Sequence, residues 1–147
     1  MLNEVYNKRI LELAANIPLI GDLEDADATA TAVSRLCGSK VRVHLKLKDG
    51  HVSKFAHDVK ACALGQASSS IMARYIIGAT PKELRNLREQ MHAMLKDQGL
   101  APDGRWADLA ILEPVRDFKS RHASTLLTFD AVVDALDQIE AKQDEVA

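Results

Sequence analysis

Two cysteines make up the whole thiol inventory of the chain: Cys37 in Leu-Cys-Gly-Ser-Lys and Cys62 in Lys-Ala-Cys-Ala-Leu-Gly-Gln-Ala-Ser-Ser-Ser. Each lies where a strand-like pattern gives way to a break or a helix, so its side chain is placed at an edge rather than sealed in a core. Thiols at such edges suit metal or sulfur handling; a buried structural cysteine is the plain alternative for either one alone. The N-terminal stretch Met-Leu-Asn-Glu-Val-Tyr-Asn-Lys-Arg carries charge every few residues and lacks the apolar run of an export signal or membrane span. A soluble, cytoplasmic protein with reduced thiols is therefore expected, rather than one with a structural bridge.

The elements that must position these thiols are legible in the pattern. Val41 to Lys48 alternates strictly between apolar and polar residues, as a half-buried strand does. Asp49-Gly50 is the favoured two-residue hairpin signal, and His51 to Val59 is the return strand. Pairing these arms carries the segment after Val59 back toward Val41, so Cys62 should approach Cys37 although 24 residues separate them. Thr29 to Ser34 has the composition of a first strand, and the acidic stretch Asp22 to Asp27 reads as a solvated loop.

Helical spacing marks the rest. Leu2, Val5, Tyr6, Ile10 and Leu13 define an opening helix stopped at Asn16-Ile17-Pro18. Leu64, Ala67, Ile71, Met72, Tyr75 and Ile76 define a helix that starts at Cys62, where the partial positive charge of the helix N-terminus favours a thiolate. Ser68 to Ser70 could belong to that chemistry or simply let the helix lie tightly on the sheet. Thr80-Pro81-Lys82-Glu83 is a capping box opening a helix with Leu84, Leu87, Met91, Met94 and Leu95 on its buried face. Trp106, Leu109, Ile111 and Leu112 form a short apolar segment with Trp106 in the core. Leu126 to Ile139 sets a last helix, with His122 near its first turn and a polar tail from about residue 141. The sum is one α+β domain over residues 1–147, a small antiparallel three-stranded sheet packed by several helices.

Composition removes several function classes. The net charge is −2, and Lys and Arg are scattered among Asp and Glu without the basic stripe a nucleic-acid binder needs. Gly38-Ser39-Lys40 lacks the spacing of a phosphate-binding loop, and neither a nucleophile elbow nor a defensible carboxylate pair is present. His44, His51, His57 and His92 read as solvent-facing.

Taken together, Cys37-Gly38, the hairpin, Cys62 with Gly65-Gln66-Ala67-Ser68-Ser69-Ser70, and Arg121-His122-Ala123-Ser124-Thr125-Leu126-Leu127 resemble the NifU N-terminal or IscU-type iron–sulfur cluster assembly scaffolds, including the SufU-type branch. The resemblance spans most of the chain. It implies a site of three cysteines and an aspartate, but here Ser39 stands at the aspartate position and Ala123 at that of the third cysteine. Serine is a poor ligand beside a carboxylate and alanine cannot ligate. The donors carried over residue by residue are Cys37, Cys62 and His122.

Two thiolates and one imidazole fall short of the four donors of a closed site. Either solvent, a small thiol or the second protomer of a homodimer completes a labile site, or the site has decayed. The resemblance implies a non-enzymatic scaffold that takes sulfur from a cysteine desulfurase, holds a labile cluster of the 2Fe–2S type or iron, and passes it to apo iron–sulfur proteins. The alternatives are a SufU-like protein in which Cys62 accepts a persulfide near zinc, and a degenerate member that binds no metal. No nucleic-acid or membrane partner is expected.

Overall fold

The computed structural model describes residues 7–35 and 38–146. Helix α1 (Lys8–Ala15) is followed by strands β1 (Ala28–Val33), β2 (Lys40–Lys48) and β3 (His51–Lys60), then by helices α2 (Ala63–Tyr75) and α3 (Pro81–Lys96). A 3-10 segment, Gly104–Asp117, and a short turn, Lys119–Arg121, lead into the long helix α4 (His122–Val146). The sheet is antiparallel in the order β1-β2-β3, as expected for the α+β class. No helix among the described residues is long and apolar enough to cross a membrane.

Asp49 and Gly50 have φ of 54° and 78°, the paired left-handed conformation of a type I′ turn, which matches the twist of the strands it joins. Beyond the turn the ladder does not stay in phase. Leu47 faces Val52 but Lys46 faces Lys54, so Ser53 is an extra residue, a β-bulge in β3, and its Oγ donates to the Lys46 carbonyl at 3.2 Å. Because side chains alternate with period two, one extra residue exchanges the two faces of everything beyond it. Counted from Val52, His57 would face solvent with Lys54 on the inside. After the bulge Phe55, His57 and Val59 share the face of Val41, Val43 and Leu45, and Asp58 turns outward.

The inner face carries Ala28, Ala30, Val41, Val43, Leu45 and Phe55 into one core with Leu64, Ile71, Met91, Leu109, Phe129 and Leu136. Helix α4 covers β1 and β2. The opposite, polar face is not open. The chain from Leu19 to Gly21 runs beside β3, with Gly21 N–H donating to the His57 carbonyl at 2.9 Å and His57 N–H to that of Leu19 at 3.1 Å. It then crosses the polar face to β1. The acidic stretch is an exposed loop, as expected, but it also works as a strap: Asp25 pairs with Lys54 at 3.0 Å and Lys46 at 3.8 Å, and Asp27 accepts the Leu47 N–H at 2.8 Å.

Other expectations are corrected by the same tertiary contacts. His44 is only 8% exposed beneath the strap, and His57 is fully buried. His92 donates to Asp130 at 2.9 Å beside Arg88 rather than facing open solvent. His51 is exposed, as expected. Thr80 caps α3, its Oγ1 accepting from Glu83 N–H at 3.1 Å, but Glu83 does not close the box; it accepts from Trp106 Nε1 at 2.8 Å and pairs with Arg105 at 3.1 Å. The last helix continues through the polar end, where Lys142 donates to the Asp27 carbonyl at 2.8 Å. Of the opening helix, Asn7 is the cap, its side chain accepting from Ile10 N–H at 2.9 Å; Leu2, Val5 and Tyr6 lie outside the described residues.

His57 donates through Nε2 to the Pro18 carbonyl at 2.9 Å, and its Nδ1 is buried without a partner. Burial holds its pKa below the ordinary histidine value, outweighing the Pro18 hydrogen bond and the nearby Asp58. Protonation would put a second N–H into the interior with no acceptor. The unfolded chain binds this proton more readily, so the folded state loses stability as pH falls below the unfolded value of about 6.5. His57→Gln keeps an N–H for Pro18 and does not titrate. Urea denaturation at about pH 7.5 and about pH 5.5 should show a smaller acid-induced loss in His57→Gln than in the wild type.

Candidate cysteine site

Cys62 is the N-cap of α2, with extended backbone (φ −66°, ψ 173°), and its carbonyl accepts the first helical hydrogen bond from Gln66 N–H at 2.9 Å. Its thiol makes no capping bond. Instead the half-buried Sγ lies 3.1 Å from Oγ of Ser124, in the first turn of α4. That contact joins residues 62 apart, and a spacing rule confined to one element cannot find it.

Close packing of α2 on α4 makes the contact. A Cβ on Gly65 would meet Ala61 Cβ at 2.7 Å and the Ser124 carbonyl oxygen at 3.0 Å, so only glycine lets the two helices approach this closely. The serine run continues the small-residue surface. Ser68, Ser69 and Ser70 are all fully buried; Ser68 donates to the Gly65 carbonyl and Ser70 to the Asn16 carbonyl at the end of α1. Their role is close packing, but against the neighbouring helices rather than mainly against the sheet.

The hairpin register brings the relevant chain ends together. Lys40 pairs with Lys60, so Gly38-Ser39 before β2 and Cys62 after β3 leave the sheet at the same end. The loop there closes on itself: Ser34 N–H donates to the Ser39 carbonyl at 2.8 Å and Gly38 N–H to the Ser34 carbonyl at 2.9 Å, with Gly38 at φ 71°. Ser39 is buried. Cys37 itself lies outside the described residues.

His122 begins α4 and is buried, with Nε2 at 3.1 Å from the Val115 carbonyl and 3.0 Å from that of Arg116. Carbonyls only accept, so Nε2 carries the proton and a neutral ring keeps its lone pair on Nδ1. A donor role for His122 is therefore confined to Nδ1. Ala123 is exposed and, with His122, lines a cleft of about 400 Å³ that also includes Lys96, Arg116 and Lys119. Cys62 does not line that cleft. Ser124 is the site residue that sequence reasoning passes over, since a serine after His-Ala carries no ligand signal of its own.

The family described as "NifU-like N terminal domain" matches residues 5–125. The chain is 25% identical over 135 residues, 92% of its own length and 94% of the relative's, to the iron–sulfur cluster assembly scaffold protein IscU of Thermotoga maritima. Its fold superposes with a TM-score of 0.94 on the N-terminal part of a nitrogen-fixing NifU-like protein from Brucella abortus, 62% identical, covering 96% of this chain and 98% of that one. A protein from Fervidobacterium islandicum AW-1, described as an iron–sulfur cluster assembly scaffold for the SUF system, shares the fold at a TM-score of 0.83 and 19% identity, covering 91% and 98% of the two chains.

Gly65→Ala should cost about 1–2 kcal/mol of stability net, since overpacking at a backbone contact outweighs the better helix propensity of alanine. Chemical denaturation reads that loss. Because the clash falls on the Ser124 backbone, the same variant should also change the rate at which Cys62 reacts with a thiol reagent.

Proposed function

Since the chain belongs to the family of NifU-like N-terminal domains, we propose that it is an iron–sulfur cluster assembly scaffold whose cargo is held at the sheet end from which Cys62 emerges. One observation carries the reading: Cys62 caps α2 at the sheet end where β2 begins, and its Sγ lies 3.1 Å from Oγ of Ser124 in the first turn of α4. The loop that leads into β2, the start of α2 and the first turn of α4 are the three segments on which the family's donors fall.

In this reading Cys37 and Cys62 supply the two thiolates and His122, through Nδ1, the imidazole. The Ser124 hydroxyl donates a hydrogen bond to the Cys62 thiolate, which tunes how firmly the sulfur holds iron. Ala123 leaves one corner without a protein thiolate, to be filled by solvent, a small thiol or a second protomer. A cluster held this way is released readily, which suits delivery to apo iron–sulfur proteins. Sulfur arrives from a cysteine desulfurase. The half-buried Cys62 thiol, uncommitted to capping its helix, favours one specific route: its thiolate attacks the sulfane sulfur of the desulfurase persulfide, the desulfurase thiolate departs, and Cys62 carries the persulfide until iron is added. With zinc rather than iron at the donors, the same step is the SufU-like alternative.

Anaerobic reconstitution with iron, sulfide and a thiol should give visible absorbance with matching iron and sulfide contents. Cys37→Ala and Cys62→Ala should each abolish it, and His122→Ala should shorten cluster lifetime. Reconstitution of the two cysteine variants as complete as in the wild type would reject the scaffold reading. Ala123→Cys should lengthen cluster retention and slow transfer to an apo-ferredoxin. Intact-mass analysis after incubation with desulfurase and cysteine should show one added sulfur on Cys62, absent from Cys62→Ala.

A further inference from the structure

On the polar face of the sheet, Asp22 of the strap, His44 of β2 and Asp58 of β3 each present one donor atom within 4.8 Å of the other two. None of these residues belongs to the cysteine site. The expectation for His44 was a solvent-facing ring, yet the strap buries it to 8% exposure.

The ring is oriented as a ligand would be. Its Nδ1 lies 2.8 Å from Thr29 Oγ1, while Nε2 is buried with no hydrogen-bond partner and points at Asp22, 3.5 Å from Oδ1. With Nδ1–H donating to the threonine hydroxyl, the Nε2 lone pair is left for a cation held beside Asp22 and Asp58. The spacing of His44 and Asp22 suits a bridging ion better than a shared proton. An imidazole and carboxylate sharing a proton sit as His92 and Asp130 do in this protein, 2.9 Å apart. Two donors each about 2.1 Å from one tetrahedral ion lie about 3.4 Å apart.

Asp58 is free to take part. Its cross-strand neighbour is Arg42, but the Arg42 Nε donates to Thr31 Oγ1 at 3.2 Å, and among the described residues Asp58 has no ion pair. It borders an open cleft of about 360 Å³, through which an ion and its waters have access. Lys40, Arg42 and Lys60 line the same cleft; they are exposed, so solvent and salt screen their repulsion.

We propose that Asp22, His44 and Asp58 bind a divalent first-row transition ion, with water completing its coordination, and that this ion clamps the strap onto the sheet. One imidazole with two carboxylates suits zinc, manganese or ferrous iron rather than the all-oxygen preference of calcium or magnesium. The site uses no thiolate, so it stands or falls separately from the scaffold reading.

The test uses the full chain with Cys37→Ala and Cys62→Ala, titrated with Co²⁺ and followed by visible absorbance. The expected result is one Co²⁺ per chain with a nitrogen and oxygen spectrum lacking sulfur charge transfer, displaced by Zn²⁺, and a higher melting temperature with either ion. Adding His44→Gln should abolish binding. Asp22→Asn, at a side chain exposed enough to leave the fold undisturbed, should weaken it at least about tenfold, and Thr29→Val by about tenfold through the lost support of Nδ1. A cysteine-free protein that binds no Co²⁺, or whose binding is indifferent to Asp22→Asn, overturns the proposal.

Discussion

A single extra residue, Ser53, sets the phase of β3 and with it the two faces of the sheet. Without the bulge, every side chain from Lys54 to Lys60 would exchange faces. Phe55 and Val59 would leave the core for the strap, and Lys54 and Asp58 would be driven in among Val41, Val43 and Leu45. The alternation of β2 permits only one inner face, so the bulge reconciles a tight I′ turn with an apolar pattern that changes parity partway along the return strand. It is held by the Ser53 hydroxyl on the Lys46 carbonyl.

From that register the chemistry of both sheet faces follows. The ladder ends with Lys40 opposite Lys60, which fixes the exit of β3 beside the entry of β2 and starts α2 at Cys62. Helix α2 then meets α4 at Gly65 and Ser124, so the thiol lands against a hydroxyl from a distant part of the chain. On the other face, the outward turn of Asp58 puts a carboxylate beside His44, and the strap supplies Asp22. Strap and sheet are tied mainly by charge: Asp25 with Lys46 and Lys54, and Asp27 on a backbone N–H. Exposed pairs contribute little individually, so the strap depends on several acting together.

The two histidines buried by these arrangements behave differently because their surroundings do. His57 faces the apolar side, where its single acceptor is the Pro18 carbonyl and a second proton has nowhere to go. His44 faces the polar side, where two carboxylates and a threonine surround it. Both lie in neighbouring strands, His44 between Val43 and Leu45 and His57 between Ala56 and Asp58, and neither context gives away the burial.

Local pattern was enough to determine the hairpin, its turn, the buried stripes of the helices, the α+β class and the position of Cys62 at a strand-to-helix junction. Period, turn residues and caps act over a few residues and leave their mark in the order of the chain. The resemblance of Cys37-Gly38, Cys62 with its serine run and His122-Ala123-Ser124 to the NifU and IscU proteins was equally local, and the family match bears it out. Tertiary structure alone decided the phase of β3 beyond Ser53, the burial of His44 and His57, the use of the acidic stretch as a strap, and the meeting of Cys62 with Ser124. Each depends on surfaces contributed by segments far apart in the chain. A bulge leaves almost no mark in composition, and the exposure of a side chain is set by whatever packs over it rather than by its immediate neighbours in sequence.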